Sequence, residues 1–181
     1  MDPAPLTTLR AKDADATHAL GRALAVAATP LPQDGLVVAL HGDLGAGKTV
    51  FVKGVAEGLG VSGEAHVVSP TFTIARSYPA PGGVVLHHLD AYRLGSGEEL
   101  DDIGFEDMCG PGRLTCVEWA ERVEDALPED RIDVWLEMEI PDEDVVPGAV
   151  PVTPRRVRLC ATGPAAARIL ARLEVSSRGR P

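Results

Sequence analysis

The sequence predicts a single α/β domain, and three features point to it. The apolar run Leu36-Val37-Val38-Ala39-Leu40 leads into Gly42-Asp43-Leu44-Gly45-Ala46-Gly47-Lys48-Thr49, after which apolar residues recur at helical spacing. Two later apolar runs each end in a carboxylate, Asp90 and Glu118, as strands of a parallel sheet do where they meet a ligand crevice. Near the C-terminus Ile132, Val134, Leu136, Met138 and Ile140 alternate with Asp133, Trp135, Glu137 and Glu139. That is a half-solvated strand, and an antiparallel partner is expected over Arg155 to Cys160. A chain of 181 residues, 45% hydrophobic and 24% charged, supplies one such core and too little for two. We take residues 1–174 as the domain and the Ser/Arg/Gly stretch 175–181 as a disordered tail.

Taken in order, Asp13 is placed to cap a helix running to about Ala28. Its apolar stripe, Ala16, Ala19, Leu20, Ala23, Leu24 and Ala27, faces the sheet. Pro30, Pro32 and Gly35 break the pattern before the strand at Leu36. The helix from Lys48 turns Phe51, Val52, Val55 and Leu59 inward until Gly58 and Gly60 end it. A hydroxyl-rich loop, Ser69-Pro70-Thr71-Phe72-Thr73, precedes a strand from Phe72 to Tyr78. A Pro81 to Gly83 turn then leads to the strand ending at Asp90. The acidic residues Glu98, Glu99, Asp101, Asp102, Glu106 and Asp107 fit a solvated helix face. After the strand ending at Glu118-Trp119, a helix is expected to stop near Pro128. Pro141 to Pro154 forms a long loop, and Pro164 to Leu173 a last amphipathic helix.

The segment Gly42 to Thr49 fits G-x-x-x-x-G-K-[ST] in the strand, loop and helix context that gives the pattern mechanical meaning. Glycines let backbone N–H groups turn inward around a phosphate, and the following helix aims its positive end at the same place. Lys48 can bridge the β- and γ-phosphates, and the Thr49 hydroxyl can ligate Mg²⁺. Asp90 and Glu118 are candidates for a Mg²⁺ partner or a water-orienting base. Ser69, Thr71 and Thr73 are the kind of groups that sense a γ-phosphate. Neighbouring His87 and His88 face opposite sides of their strand and fit core or rim positions. The three cysteines form no C-x-x-C pair, so neither disulfide nor zinc is expected.

A net charge of −10 argues against a protein that grips nucleic acid by itself. The N-terminus lacks a signal-peptide layout, and no apolar run approaches the ~20 residues that span a bilayer. A soluble, cytoplasmic chain that does not enter a membrane is expected.

Together, Gly42 to Thr49, Ser69 to Thr73, His88-Leu89-Asp90-Ala91-Tyr92-Arg93-Leu94 and Glu118-Trp119 resemble the signatures of the TsaE (YjeE) family. This is the ATPase subunit of the bacterial machinery that places a threonylcarbamoyl group on an adenosine of tRNAs reading codons that begin with adenine. The resemblance implies a P-loop NTPase-like three-layer fold with a mainly parallel central sheet and antiparallel flanking strands. It implies ATP and Mg²⁺ as ligands, TsaB and TsaD as partners, and tRNA reached only through that complex. On the matching positions Gly42 to Thr49 wrap the phosphates, Thr49 and Glu118 hold Mg²⁺, Asp90 assists hydrolysis, and Ser69, Thr71 and Thr73 form a switch-like loop. Thr17 falls where the family's N-terminal E-T element approaches the nucleotide, with Ala16 in place of the acid. Arg155 matches an arginine that opens the last strand.

Two other functions fit a phosphate loop: a small-molecule kinase, and a nucleotide-sensing docking module with negligible hydrolysis. A GTPase is disfavoured because no N-K-x-D element is present. The kinase is disfavoured because the longest loop carries no arginine until its end.

Overall fold

In the computed structural model, residues 6–62, 67–70, 73–139 and 153–178 are described. The strands are β1 (Leu6–Ala11), β2 (Leu36–His41), β3 (Ala75–Pro79), β4 (Val85–Asp90), β5 (Arg113–Glu118), β6 (Arg131–Met138) and β7 (Arg155–Ala161). The helices are α1 (Ala14–Ala28), α2 (Lys48–Gly58), α3 (Gly97–Asp102) and α4 (Pro164–Arg178).

The strands form one seven-stranded sheet in the order β1-β7-β6-β2-β5-β4-β3. Strands β6, β2, β5 and β4 run parallel, while β7 and β1 on one side and β3 on the other are antiparallel. The parallel centre is buried on both faces, so β2 is apolar at nearly every position rather than alternating. On one face Val38, Leu40, Leu114, Val134 and Leu159 pack with Leu24 of α1, Phe51 and Val55 of α2, and Leu170 of α4. On the other, Val37, Ala39, Leu89 and Val117 pack under Leu94, Leu100, Phe105 and Val123. These last come from α3 and short 3₁₀ turns, so the third layer is thinner than the first.

Several expectations change. The opening residues form the edge strand β1, paired with β7 from Leu6↔Cys160 to Ala11↔Arg155. Helix α1 begins as expected, Asp13 Oδ1 accepting from the Ala16 amide at 2.7 Å. Its buried face is Thr17, Gly21, Leu24, Ala25, Ala27 and Ala28; of the expected stripe Leu24 and Ala27 are buried, Ala16, Leu20 and Ala23 are half-buried against the core, and Ala19 is exposed. The helix turns this way because it lies tightly against α2: a Cβ on Gly21 would run into the Phe51 carbonyl, and one on Gly54 into the His18 carbonyl. Strand β3 starts at Ala75 rather than Phe72, and residues 71 and 72 lie outside the described residues. The helix expected after Glu118 is instead a pair of 3₁₀ turns, Ala120–Arg122 and Glu124–Ala126. Trp119, with φ 59°, and Val123, with φ −135°, take the backbone out of the α region at both joints.

Asp133 is buried rather than solvated, and Met138 is exposed. Helix α4 continues past Leu173 to Arg178, so residues 175–178 of the expected tail are helical and 179–181 lie outside the described residues. Most of the expected loop at Pro141 to Pro154 lies outside them as well. Cys116 is buried, and Cys109 and Cys160 are half-buried free thiols.

Candidate functional site

Strand β2 lies in the middle of the sheet and ends at His41, so Gly42 to Thr49 crosses the C-terminal edge of the parallel strands. Gly42 has φ 133°, a backbone conformation closed to side chains, and a Cβ there would strike the Leu136 carbonyl. Gly47, at φ 107°, turns the chain into α2, whose first turn carries Lys48 and Thr49. The loop segment from Leu44 to Thr49 lines a cavity of about 530 Å³, with Ser69, Asp90, Tyr92, Glu118, Trp119 and Arg155 on its other walls. Gly42 and Asp43 border a smaller cavity of about 310 Å³ beside Trp135 and Leu136.

Lys48 is 4% exposed. Its Nζ donates to the Gly42 carbonyl and, at 3.0 Å, to the Asp43 carbonyl. It also lies 3.7 Å from the centroid of the Trp119 ring, a cation–π contact. Burial lowers the pKa of this ammonium from its ordinary value, against the opposing pull of the Glu118, Glu121, Asp90 and Asp43 carboxylates. Trp119 reaches the lysine through its left-handed backbone, φ 59°, and Tyr92 packs on its ring with centroids 5.0 Å apart.

The two strand-terminal carboxylates are direct neighbours, since Asp90 of β4 pairs with Glu118 of β5. Both are buried. Glu118 Oε1 accepts from the Thr49 hydroxyl at 2.8 Å and from His88 Nε2 at 2.7 Å. Asp90 Oδ2 accepts from the Ser69 hydroxyl at 2.8 Å and Oδ1 from the Tyr92 amide at 3.0 Å. The hydroxyl of Thr49 and the carboxylates of Glu118 and Asp90 are hard oxygen donors grouped at one wall, the set that suits Mg²⁺.

Arg155, the first residue of β7, reaches under the loop: Nε donates to the Ala46 carbonyl at 3.0 Å and Nη1 to the Thr153 carbonyl at 2.7 Å. Thr17 is fully buried below Gly47, its hydroxyl donating to the Asp13 carbonyl at 3.1 Å, and it is not among the residues that line the cavity. Ser69 lines the cavity. Thr73 stands away from it with its hydroxyl 3.4 Å from the Pro70 carbonyl, and Thr71 lies outside the described residues. The structure therefore brings together Leu44 to Thr49, Ser69, Asp90, Glu118 and Arg155. Sequence reasoning had His88, Tyr92 and Trp119 within the family signatures but gave none of them a role in the site. The signal for His88 was its spacing from Asp90, since residues two apart on a strand share a face.

The model of the family described as threonylcarbamoyl adenosine biosynthesis protein TsaE matches residues 11–144. The chain belongs to the TsaE family. Curated relatives from several bacteria carry the name tRNA threonylcarbamoyladenosine biosynthesis protein TsaE. That of Bacillus subtilis is 39% identical over 134 residues, 74% of this chain and 79% of the relative. That of Streptomyces coelicolor is 43% identical over 125 residues, 68% and 80% of the two chains. The Treponema pallidum protein is 48% identical over 107 residues, 59% and 76%. The crystal structure of Bacillus subtilis YdiB superposes with a TM-score of 0.69 at 28% identity, covering 98% of this chain and 99% of that one. The fold is thus P-loop NTPase-like, a seven-stranded sheet with a parallel centre and antiparallel edges. The matched range includes every site residue above except Arg155. Among the described residues no helix is long and apolar enough to cross a membrane.

Proposed function

We propose that this TsaE-family chain is a Mg²⁺-dependent ATPase that drives formation of the threonylcarbamoyl group on tRNA through a complex with TsaB and TsaD. The observation that carries this reading is the convergence of Lys48, Thr49, Asp90 and Glu118 on one cavity beside the phosphate loop. The loop amides and the N-terminus of α2 receive the phosphates. Lys48 turns from the Gly42 and Asp43 carbonyls to the β- and γ-phosphate oxygens, a charge-assisted contact in a buried setting. Thr49 and Glu118 hold Mg²⁺, which when bound neutralises charge developing on the phosphates. Asp90 orients the attacking water, and its bond to Ser69 links residues 67–70 to the carboxylate that acts. Arg155 keeps the loop in place through the Ala46 carbonyl.

The relatives' names support the tRNA-modifying role, and the charge of −10 supports a chain that meets tRNA only through its partners. ADP release measured without any phosphate acceptor, with and without TsaB and TsaD, tests the proposal. Slow Mg²⁺-dependent release that the partners accelerate is expected. Release that needs a small-molecule acceptor would make the chain a kinase, and no release in either mixture would leave a docking module.

A further inference from the structure

We propose that His88 is a positioning residue that holds Glu118 ready for the metal ion; the inference rests on the nucleotide and Mg²⁺ reading of the site given above. His88 lies on β4 two residues before Asp90, on the sheet face that carries α2, and is fully buried. Its Nε2 meets Glu118 Oε1 at 2.7 Å, and the Thr49 hydroxyl reaches the same oxygen at 2.8 Å. A carboxylate oxygen that accepts two fixed donors, one from β4 and one from α2, cannot rotate without breaking one of them. Among the described residues no hydrogen bond reaches Oε2, so the cavity-lining carboxylate keeps one oxygen for a cation.

The opposite ring nitrogen, Nδ1, is buried with no hydrogen-bond partner among the described residues. Packing alone does not account for an imidazole here. Leu86, two residues earlier on the same face, belongs to the apolar cluster, and a leucine at 88 would fill the space without stranding a polar atom. What the ring supplies is a donor at Nε2, aimed at the metal-side carboxylate.

The test uses His88→Gln, whose amide nitrogen can occupy the place of Nε2, and His88→Asn, whose shorter amide falls near Nδ1 and cannot reach Glu118. The folded full-length variants are titrated with a non-hydrolysable ATP analogue in chelator, and then with Mn²⁺ at saturating analogue, following bound Mn²⁺ by electron paramagnetic resonance. We expect metal-free analogue affinity to stay within about twofold of wild type in both variants. Metal affinity is expected to fall at least about tenfold in His88→Asn and to return to within about threefold in His88→Gln. A folded His88→Asn that binds Mn²⁺ like wild type, a folded His88→Gln that loses as much as His88→Asn, or an equal loss of metal-free affinity would each overturn the proposal. If His88→Asn does not fold, the His88→Gln result alone decides. Wild type that binds the analogue but takes up no Mn²⁺ would overturn the metal reading itself, a result distinct from failure of His88 alone.

Discussion

Lys48 and Glu118 hold the two ends of the site's chemistry, and their surroundings separate what each loses on mutation. Lys48→Ala removes a buried ammonium whose partners are loop carbonyls and the Trp119 ring. The lost charge-assisted contact to phosphate is worth about 1.5–3 kcal/mol, or roughly 10- to 150-fold in ATP affinity. Isothermal calorimetry on the folded variant checks this, and unchanged affinity with unchanged turnover would remove Lys48 from the site. Glu118→Ala strips Thr49 and His88 of their shared acceptor and is expected to raise the Mg²⁺ concentration needed for activity. Asp90→Ala is expected to leave ATP binding intact and to slow hydrolysis by about a hundredfold or more, the mark of an interaction made in the transition state. Mg²⁺ titrations of turnover for both variants decide the assignment, since a Glu118→Ala enzyme with wild-type Mg²⁺ dependence would pass the ligand role to Asp90.

Between elements, the closest fit is that of α1 on α2, made where Gly21 and Gly54 let backbone approach backbone. An alanine ordinarily favours a helix over glycine by about 1 kcal/mol. At position 54 its Cβ would meet the His18 carbonyl, so Gly54→Ala is expected to destabilise by about 1–3 kcal/mol instead. Urea unfolding reads the sign directly, and a stabilised variant would show that the helices separate freely. The same contact explains why the packed face of α1 reaches beyond its apolar stripe to Thr17, Gly21, Ala25 and Ala28: glycine carries no hydropathy signal, yet here it marks the packed face. Asp133 was misplaced for a related reason. Strand alternation puts it opposite Val134, but it is partnered on its own face by His41 Nε2 at 3.0 Å, from β2, and by Arg131 Nε at 3.1 Å, two residues earlier on β6.

Burial alone would raise the Asp133 carboxyl, but the hydrogen bonds from His41 and Arg131 outweigh it and hold the pKa below its usual value. A depressed carboxyl adds stability that is present above the unfolded pKa of about 3.9 and lost as the pH falls through the folded value. Wild type is therefore expected to lose stability more steeply than Asp133→Asn as the pH falls below about 5. Parallel slopes in urea midpoints would contradict this. The stretch after Trp119 shows the limit of periodicity: Ala120, Val123 and Leu127 are all buried at helical spacing, and paired 3₁₀ turns satisfy that spacing as well as an α-helix would. The phosphate loop and the carboxylates at Asp90 and Glu118 were readable because their residue types and strand-end positions carry the chemistry. The partner of His88 was not, because Glu118 lies on a different strand, 30 residues away.

Over the whole molecule, a parallel sheet with its phosphate loop on the central strand gathers the reactive groups at one edge, and the cavity there is lined by exposed Leu44 and Tyr92. The chain carries 27 acidic against 17 basic residues, which disfavours a direct hold on tRNA. Its proposed work is to convert the state of the nucleotide into affinity for TsaB and TsaD. That coupling is reciprocal: whatever factor ATP adds to partner binding, the partners add to ATP binding. Calorimetric titration of the full-length chain into TsaB–TsaD with a non-hydrolysable ATP analogue, with ADP and without nucleotide measures it. The account predicts tighter binding with the analogue by about fivefold or more over the other two states, the lower end of ordinary coupling energies. Equal affinity in all three would contradict it.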